Sequence, residues 1–573
     1  MAFLFLSLVW SCEKDYIQDD PETKTNTDSD TDQDNTAGLH EDSTDYVWNA
    51  ADVIPIVLNG TSVSVNNDGV TVSGSVFTIT KAATYSVTGS LTNGQLVVKT
   101  DDTGVLRIIL AGAQISNSTT TPFLISKAKK VVVNLQAGTQ NTFSDATTYA
   151  STATTDPNAC IYSKSNLTIC GSGTLIVKGN YKDGIQSKDG LIVRDSKINI
   201  TAVDDGICGK DYLYAKGASF TIKSGGDGFK SDNTENSALG YIVLSTDTMD
   251  ITSGGDAISA QTNFTANSGK YTLTSGGGST KTVASTLSAK GVKAEVKLTI
   301  NGGTFTISSA DDAVHTNGEL VVNGGEVIAA SGDDGFKAES SVTINKGMVS
   351  ITKSYEGIES PSIKVNDGSV SIVSSDDCFN ATKGNGGESN DGSLLSIAGG
   401  NVYVNASGGD ALDSNGSIAI SGGTVVAHGP QSSPEVGMDY NGTCNVTGGL
   451  LAISGTNSNM TQAPSTSSSQ YSVRVIMTSG LAANTIFHVQ DAAGNDILTF
   501  KPVRSYYSMV FSSAALKSGS TYYIYTGGSS TGTLQNGLYT GGGYTGGTLY
   551  GNFTISGSVT SLGSASGGGR PGG

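Results

Sequence analysis

A five-residue phrase recurs along the middle of the chain, and the sequence around it alternates between apolar and polar positions. Each copy has an acidic residue, a small residue, an apolar residue, a variable residue and a second small residue. Nine copies begin at Asp183, Asp205, Asp227, Asp256, Asp312, Asp334, Glu356, Asp377 and Asp410. Neighbouring copies are commonly about 22 residues apart, a period that is typical of repeat proteins built from stacked units.

The segments between the phrases alternate with a period of two, which predicts half-buried β-strands. Three short strands with Gly-Gly or Asn-Gly corners in about 22 residues predict one rung of a parallel β-helix. The third position of the phrase predicts one internal apolar row, and the variable fourth position is expected to face outward. The internal row comprises Ile185, Ile207, Phe229, Ile258, Val314, Phe336, Ile358, Phe379 and Leu412.

The pattern divides the chain into five segments. Residues 1–12 resemble the end of a lipoprotein signal peptide, with Cys12 as the lipidated residue. Residues 13–45 are rich in Asp, Thr and Asn and predict a disordered acidic linker. We assign residues 46–460 to the parallel β-helix, 471–560 to a C-terminal β cap of longer strands, and 561–573 to a Gly-rich flexible tail.

Composition narrows the classes of ligand. The chain has 573 residues, 75 of them Gly, and a formal net charge of −18 at pH 7. Nucleic acid is not an expected partner, because no basic stripe is present to neutralise phosphates. An anionic ligand remains compatible with this charge if divalent cations bridge it to the protein.

The acidic first positions form the first candidate site, which we name the acidic row. Carboxylates stacked at the ~4.8 Å spacing of β-strands repel by about 3.5 kcal/mol at an effective dielectric constant near 20. Ca²⁺ accepts several carboxylate oxygens in flexible geometry and is the cofactor we expect. Alternatively, each Asp makes only a local Asx-type turn. Lys290 replaces the acid in one copy as a built-in counter-charge. The expected metal ligands are Asp183, Asp204, Asp205, Asp227, Asp311, Asp312, Asp333, Asp334, Asp376 and Asp377.

The outward fourth positions form the second candidate site. Lys230, His315 and Lys337 are the candidates for carbohydrate contacts, with a merely solvated face as the alternative. A lyase would need a base beside a calcium-neutralised carboxylate, and Lys210, Lys230 and Lys337 lie near acidic pairs in sequence. Neither a Ser-His-Asp set nor a phosphate loop is visible, so no catalytic residue is assigned. Apart from Cys12, the five cysteines are expected to be buried free thiols.

The Asp-Asp-Gly-Ile/Phe phrases, the Gly-Gly-x-hydrophobic strands and the C-terminal segments 500–513 and 518–528 resemble a family of bacterial carbohydrate-binding proteins. These are parallel β-helix proteins that look like pectate lyases. The resemblance covers about residues 50–560. It implies a right-handed parallel β-helix, bound calcium, and recognition of cell-wall polysaccharide, including acidic pectin-like chains.

Together these observations predict an all-β, right-handed parallel β-helix with rungs of about 22 residues. The predicted function is calcium-dependent, non-catalytic binding of acidic, pectin-like or cellulose-like polysaccharide. A pectate-lyase-like enzyme and a structural adhesin are the alternatives. We expect a monomer at the cell surface, held to the outer membrane by a lipid on Cys12.

Overall fold

A computed structural model describes residues 38–150, 153, 156–384 and 389–565. The predicted signal peptide with Cys12, residues 13–37 of the linker and residues 566–573 of the tail lie outside the described residues. The described chain is all-β, with two short 3-10 helices at Ser43–Tyr46 and Ala50–Asp52. No described helix has the length and hydropathy needed to cross a bilayer.

Sixteen short strands form sheet B, in which every pair but the first is parallel. These strands are Val70–Ser73, Val76–Ile79, Gln95–Lys99, Phe123–Lys127, Ala159–Ser163, Asp183–Ser187, Ile207–Gly209, Phe229–Ser231, Ile258–Ala260, Val292–Ala294, Val314–Thr316, Phe336–Ala338, Ile358–Glu359, Phe379–Ala381, Leu412–Ser414 and Asp439–Tyr440.

Sheet A contains 31 strands. They are Ile54–Gly60, Ser62–Ser64, Thr84–Leu91, Leu106–Ser116, Lys130–Leu135, Gln140–Ser144, Asn166–Cys170, Thr174–Gly179, Gly190–Arg194, Lys197–Ala202, Tyr212–Lys216, Ser219–Ser224, Tyr241–Ser253, Asn263–Ser275, Lys297–Ile300, Thr304–Ser309, Glu319–Val322, Glu326–Ser331, Ser341–Ile344, Met348–Lys353, Ser362–Val365, Ser369–Ser374, Leu394–Ile397, Asn401–Ala406, Ser417–Ile420, Thr424–His428, Cys444–Val446, Leu450–Gly455, Ser472–Leu481, Tyr506–Ser512 and Val559–Leu562.

Two smaller antiparallel sheets lie in the C-terminal region. Sheet C has six strands: Phe487–Asp491, Asp496–Phe500, Thr521–Thr526, Thr533–Gln535, Leu538–Thr540 and Thr548–Thr554. A two-stranded sheet pairs Ser529–Ser530 with Tyr544–Thr545.

The predicted internal row is confirmed. All nine of its residues have no exposed surface, and parallel pairing in sheet B places each one directly beside the next, with Val292 completing the row. The corners are glycines because the backbone there is left-handed: φ is +94° at Gly303 and +80° at Gly325. A Cβ on Gly325 would also lie 2.6 Å from the carbonyl oxygen of Gly303.

The fold-class prediction, a right-handed parallel β-helix with rungs of about 22 residues and a C-terminal β cap, is wrong, as the strand pairing shows. Two of the three expected strand rows belong to a single sheet A, because the long strand Tyr241–Ser253 pairs with one row through Tyr241–Ser245 and with the other through Thr248–Ser253. Sheet A also takes in strands assigned to the cap: Leu450–Gly455 pairs antiparallel with Tyr506–Ser512. The architecture is therefore all-β with one large joined sheet, mainly parallel, facing a second parallel sheet.

Two local features complete the fold. Residues from His40 onward belong to the compact unit. Within it, Asp45 is fully buried and lies 2.6 Å from Lys130 Nζ, so this end of the predicted linker has a defined contact. The cysteine prediction is confirmed: the five described cysteines are buried and free.

Candidate functional site

The acidic residue of each phrase lies at or just before the start of a sheet B strand, where it bonds to the next repeat. Oδ1 of Asp205 accepts a hydrogen bond from the backbone N–H of Asp227 at 2.8 Å. Oδ1 of Asp227 accepts one from the backbone N–H of Asp256 at 2.9 Å. Asp183, Asp256, Asp312 and Asp377 make the same contact with the repeat that follows. These bonds join successive repeats, whereas a local Asx-type turn would bond within one repeat.

In parts of the row a lysine lies beside the second carboxylate oxygen, whereas Oδ2 of Asp183 accepts a hydrogen bond from Nδ2 of Asn158 at 2.7 Å. Lys230 Nζ lies 3.0 Å from Oδ2 of both Asp205 and Asp227. Lys337 Nζ lies 3.0 Å from Asp334 Oδ2 and 2.6 Å from Glu359 Oε2. Two residues predicted to face carbohydrate are thus counter-charges within the acidic row.

Lys290 and His315 neutralise the middle of the row. Lys290 Nζ lies 2.6 Å from Asp311 and 3.0 Å from Asp312, which confirms its predicted role as a counter-charge. His315 Nδ1 lies 2.8 Å from Asp312 Oδ2. Burial alone would raise the pKa of Asp312, but the contacts with His315 and Lys290 lower it to about 2.

The paired lysines retain their protons. Burial lowers the pKa of Lys230, but Asp227 and Asp205 outweigh burial and raise it well above its usual value. Burial also lowers the pKa of Lys337, but the charge of Asp334 and the contact with Glu359 outweigh burial and raise it. Lys210 lies 3.1 Å from Glu235. Because a general base must be unprotonated, these raised pKa values disfavour Lys230 and Lys337 as general bases.

Within the described ranges, four groups of three carboxylates have oxygen atoms within 4.8 Å of one another. We name them clusters 1 to 4 in chain order. Cluster 1 is Asp183, Asp204 and Asp205; cluster 2 is Asp311, Asp312 and Asp333; cluster 3 is Asp334, Glu356 and Glu359; cluster 4 is Asp410, Asp413 and Asp439.

Seven of the ten predicted metal ligands fall in these clusters, six of them in clusters 1 and 2 and Asp334 in cluster 3. The other three lie outside. Asp227 contacts Lys230, and Asp377 accepts the backbone N–H of Asp410 at 2.5 Å. Asp376 lies next to Tyr355.

Five cluster residues are absent from the predicted ligand set. Glu356 and Asp410 occupy the first position of the phrase, while Glu359 and Asp413 occupy the fourth. Parallel pairing places Asp413 directly beside Asp439. A search for a second acid three residues after the first would have found Glu359 and Asp413, but only the strand register identifies Asp439.

Burial and mutual repulsion disfavour the charged form of several cluster carboxylates. Burial, followed by repulsion from Asp205, raises the pKa of Asp183 to about 7. Burial raises the pKa of Glu356 to about 8, with Glu359 as the largest charged contributor. Such groups ionise fully near neutral pH only when a cation lies among them. Oxygen donors in varied geometry fit Ca²⁺ better than a metal that prefers nitrogen or sulfur.

The outer edge of the row is open to solvent. Asp204 and Asp333 are exposed, and both precede the more buried acid of their phrase. Tyr355 lies in the repeat that follows Asp333 and has a relative exposure of 50%. Its backbone N–H donates to Asp333 O at 2.8 Å, and the side-chain hydrogen bond with Asp376 raises its pKa to about 12. The edge therefore combines exposed carboxylates with one exposed aromatic ring.

Comparison with known proteins points to one family. The profile of the family described as "Carbohydrate-binding domain-containing protein" matches residues 73–335. A protein of the same description from Acetivibrio thermocellus is 32% identical over 225 residues, which are 39% of this chain and 79% of that protein. A solved structure titled as the polysaccharide lyase-like protein from C. thermocellum, gadolinium derivative, is 27% identical. It covers 47% of this chain and 96% of that chain, with a TM-score of 0.37.

Proposed function

The chain belongs to the family of carbohydrate-binding domain-containing proteins, and from this premise we propose that it binds polysaccharide, without cleaving it, along the exposed edge of the acidic row. The preferred ligands are acidic, pectin-like chains whose carboxylates are bridged to the protein by calcium. A cellulose-like chain is the neutral ligand that the same edge accommodates.

One observation carries this proposal. Parallel stacking in sheet B places the same phrase on one side of successive repeats, so that polar groups recur along a straight track at the ~4.8 Å spacing of neighbouring strands. A linear polymer presents its own groups at regular intervals and can contact several repeats at once. Repeated weak contacts of this kind add up to useful affinity.

Calcium accounts for the recognition of an acidic polymer by an acidic protein. Asp183, Asp204 and Asp205 would hold one ion, and Asp311, Asp312 and Asp333 a second. The exposed member of each cluster, Asp204 or Asp333, faces the solvent from which a uronate would approach. A divalent ion removes the repulsion between protein and uronate carboxylates, since it attracts both.

Direct contacts with the sugar would come from groups beside these carboxylates. Tyr355 offers an exposed ring face for stacking on a sugar. Lys230, Lys337 and His315 keep partly accessible heads, with side-chain exposures of 30%, 28% and 12%. A lysine ammonium has three donors, so Lys230 and Lys337 can bridge two carboxylates and still donate to a hydroxyl.

We include display at the cell surface in the proposal. A lipid on Cys12 would anchor the protein, and the acidic segment that follows would act as a solvated tether. Such an arrangement keeps the row accessible to large polymers.

A depletion assay against a panel of polysaccharides tests the proposal. The full chain is incubated with polygalacturonate, esterified pectin and cellulose, in calcium and in EDTA. We expect retention by polygalacturonate that EDTA abolishes and weaker, chelator-insensitive retention by cellulose. Failure to bind every glycan in calcium would overturn the proposal. Formation of unsaturated products absorbing at 232 nm would contradict its non-catalytic part.

A further inference from the structure

Cluster 4 differs from the other three carboxylate clusters because the fold supplies it with no counter-charge. Lys230 contacts cluster 1, Lys290 contacts cluster 2 and Lys337 contacts cluster 3. Among the described residues, no Lys, Arg or His forms an ion pair with Asp410, Asp413 or Asp439. Three carboxylates therefore share a small volume without a protein cation.

Cluster 4 also contains a carboxylate oxygen that receives no hydrogen bond from the described residues. Oδ1 of Asp410 accepts a hydrogen bond from the backbone N–H of Val436, just as the acids of earlier phrases accept a backbone N–H of the repeat that follows. Asp439 is 7% exposed, and its Oδ1 has no hydrogen-bond partner among the described residues. A buried carboxylate oxygen without a hydrogen-bond donor costs free energy. A cation bound beside Oδ1 of Asp439 would offset this cost.

The strand register holds the three groups together. Asp413 and Asp439 are direct neighbours in the parallel strand pair that ends sheet B. Asp410 precedes Asp413 by three residues in the same phrase. Their oxygens lie within 4.8 Å of one another. Because sheet pairing fixes the backbone of Asp413 and Asp439, their carboxylates can separate only by side-chain rotation and not by movement of the strands.

From this arrangement we infer that Asp410, Asp413 and Asp439 form a structural binding site for a hard divalent cation, with calcium favoured, that stabilises the C-terminal end of sheet B. Calcium is favoured over magnesium because magnesium requires near-ideal octahedral geometry and releases its water reluctantly. The ion supplies the positive charge that cluster 4 does not receive from a lysine. This site does not depend on the glycan binding proposed above.

Thermal unfolding of the full chain, without any glycan, tests the inference. Wild type is compared in EDTA and in calcium with Asp439→Asn, Asp413→Asn and the control Asp250→Asn, which changes an exposed strand residue outside the four clusters. Wild type and Asp250→Asn should gain about 2 °C or more in melting temperature in calcium. Both cluster 4 variants should lose most of this gain and should unfold in EDTA at the wild-type temperature or above it, since one repelling charge is gone.

Terbium luminescence provides a second measurement on the same variants. Tyr440 follows Asp439 directly and can sensitise a nearby lanthanide. We expect the tightest terbium site to weaken about tenfold or more in Asp413→Asn and Asp439→Asn but not in Asp250→Asn. A calcium-dependent gain that is undiminished in both cluster 4 variants, or is absent from wild type, would overturn the inference. Unfolding of both variants at a lower temperature than wild type in EDTA would show a purely structural role and overturn it equally.

Discussion

Lys337 Nζ lies 2.6 Å from Oε2 of Glu359, the residue that occupies the same phrase position one repeat further along. The contact crosses from one repeat to the next and also draws in Asp334 at 3.0 Å. The repeat architecture thus concentrates negative charge on one face, and particular repeats carry a lysine that offsets it.

Removing that lysine should make the region depend on calcium. In Lys337→Gln, Asp334 and Glu359 lose their shared cation, and we expect a loss of roughly 1–3 kcal/mol in unfolding free energy in EDTA, less than for a fully buried pair because the lysine is partly exposed. Calcium should restore part of the loss. Urea denaturation in both buffers measures this, with exposed Lys346→Gln as the control. Equal stability of the two variants in EDTA would argue against lysine as the essential counter-charge.

The internal row should carry much of the stability of sheet B. Phe336 has no exposed surface and stacks between Val314 and Ile358. Phe336→Ala removes a large buried side chain and leaves a cavity, so we expect a destabilisation of about 3–5 kcal/mol. The exposed strand position Thr306 provides the control, since Thr306→Ala should change stability by less than about 0.5 kcal/mol. Urea unfolding compares both with wild type, and similar values for the two would contradict the assigned core.

His428 should make the protein sensitive to acid. Burial lowers the pKa of this histidine to about 4, so the folded protein keeps it neutral at a pH where the unfolded chain protonates it at about 6.5. The unfolded state then binds more protons, and stability falls as the pH drops from about 6.5 towards 4, by up to ~3 kcal/mol. In His428→Gln this component should disappear. Unfolding free energies at pH 7, 6 and 5 test it, because parallel pH profiles for variant and wild type would exclude the effect.

Tyr355 should contribute to glycan affinity without affecting stability. Its ring is half exposed, so Tyr355→Ala removes a stacking surface but little core packing. We expect polygalacturonate binding in calcium to weaken roughly 2- to 10-fold, the range that corresponds to an aromatic contact. Tyr507, which is 39% exposed in a strand distant in sequence from the acidic row, is the matched control. If Tyr507→Ala weakens binding as much, the glycan does not lie along the predicted edge.

The sequence period predicted the parts of the fold that depend on side-chain alternation. Ile185, Phe229 and Phe336 could be assigned to one internal row because their spacing matches the phrase, and the structure buries all three fully. The joining of two strand rows by Tyr241–Ser253 could not be predicted, since nothing in local alternation shows whether a strand bends or ends.

The candidate site was predictable in outline only. Repetition of the acidic phrase identified the row of carboxylates, but the direction of the lysines depends on side-chain contacts between repeats. Lys230 and Lys337 remain predicted carbohydrate contacts, but the sequence did not show that each also lies 3.0 Å from an acid of its own phrase. Asp439 was missed because its place beside Asp413 follows from strand register after an irregular insertion.

Isothermal titration with polygalacturonate tests the central proposal most directly. The double variant Asp204→Asn/Asp333→Asn removes the two exposed carboxylates. It leaves Lys230, Lys290 and the buried acids of the acidic row in place. Wild type should bind in calcium and not in EDTA, and the double variant should bind at least roughly tenfold more weakly, a loss of about 1.4 kcal/mol or more. Equal affinity of the two proteins in calcium, or wild-type binding that persists in EDTA, would contradict calcium-bridged recognition along the acidic row.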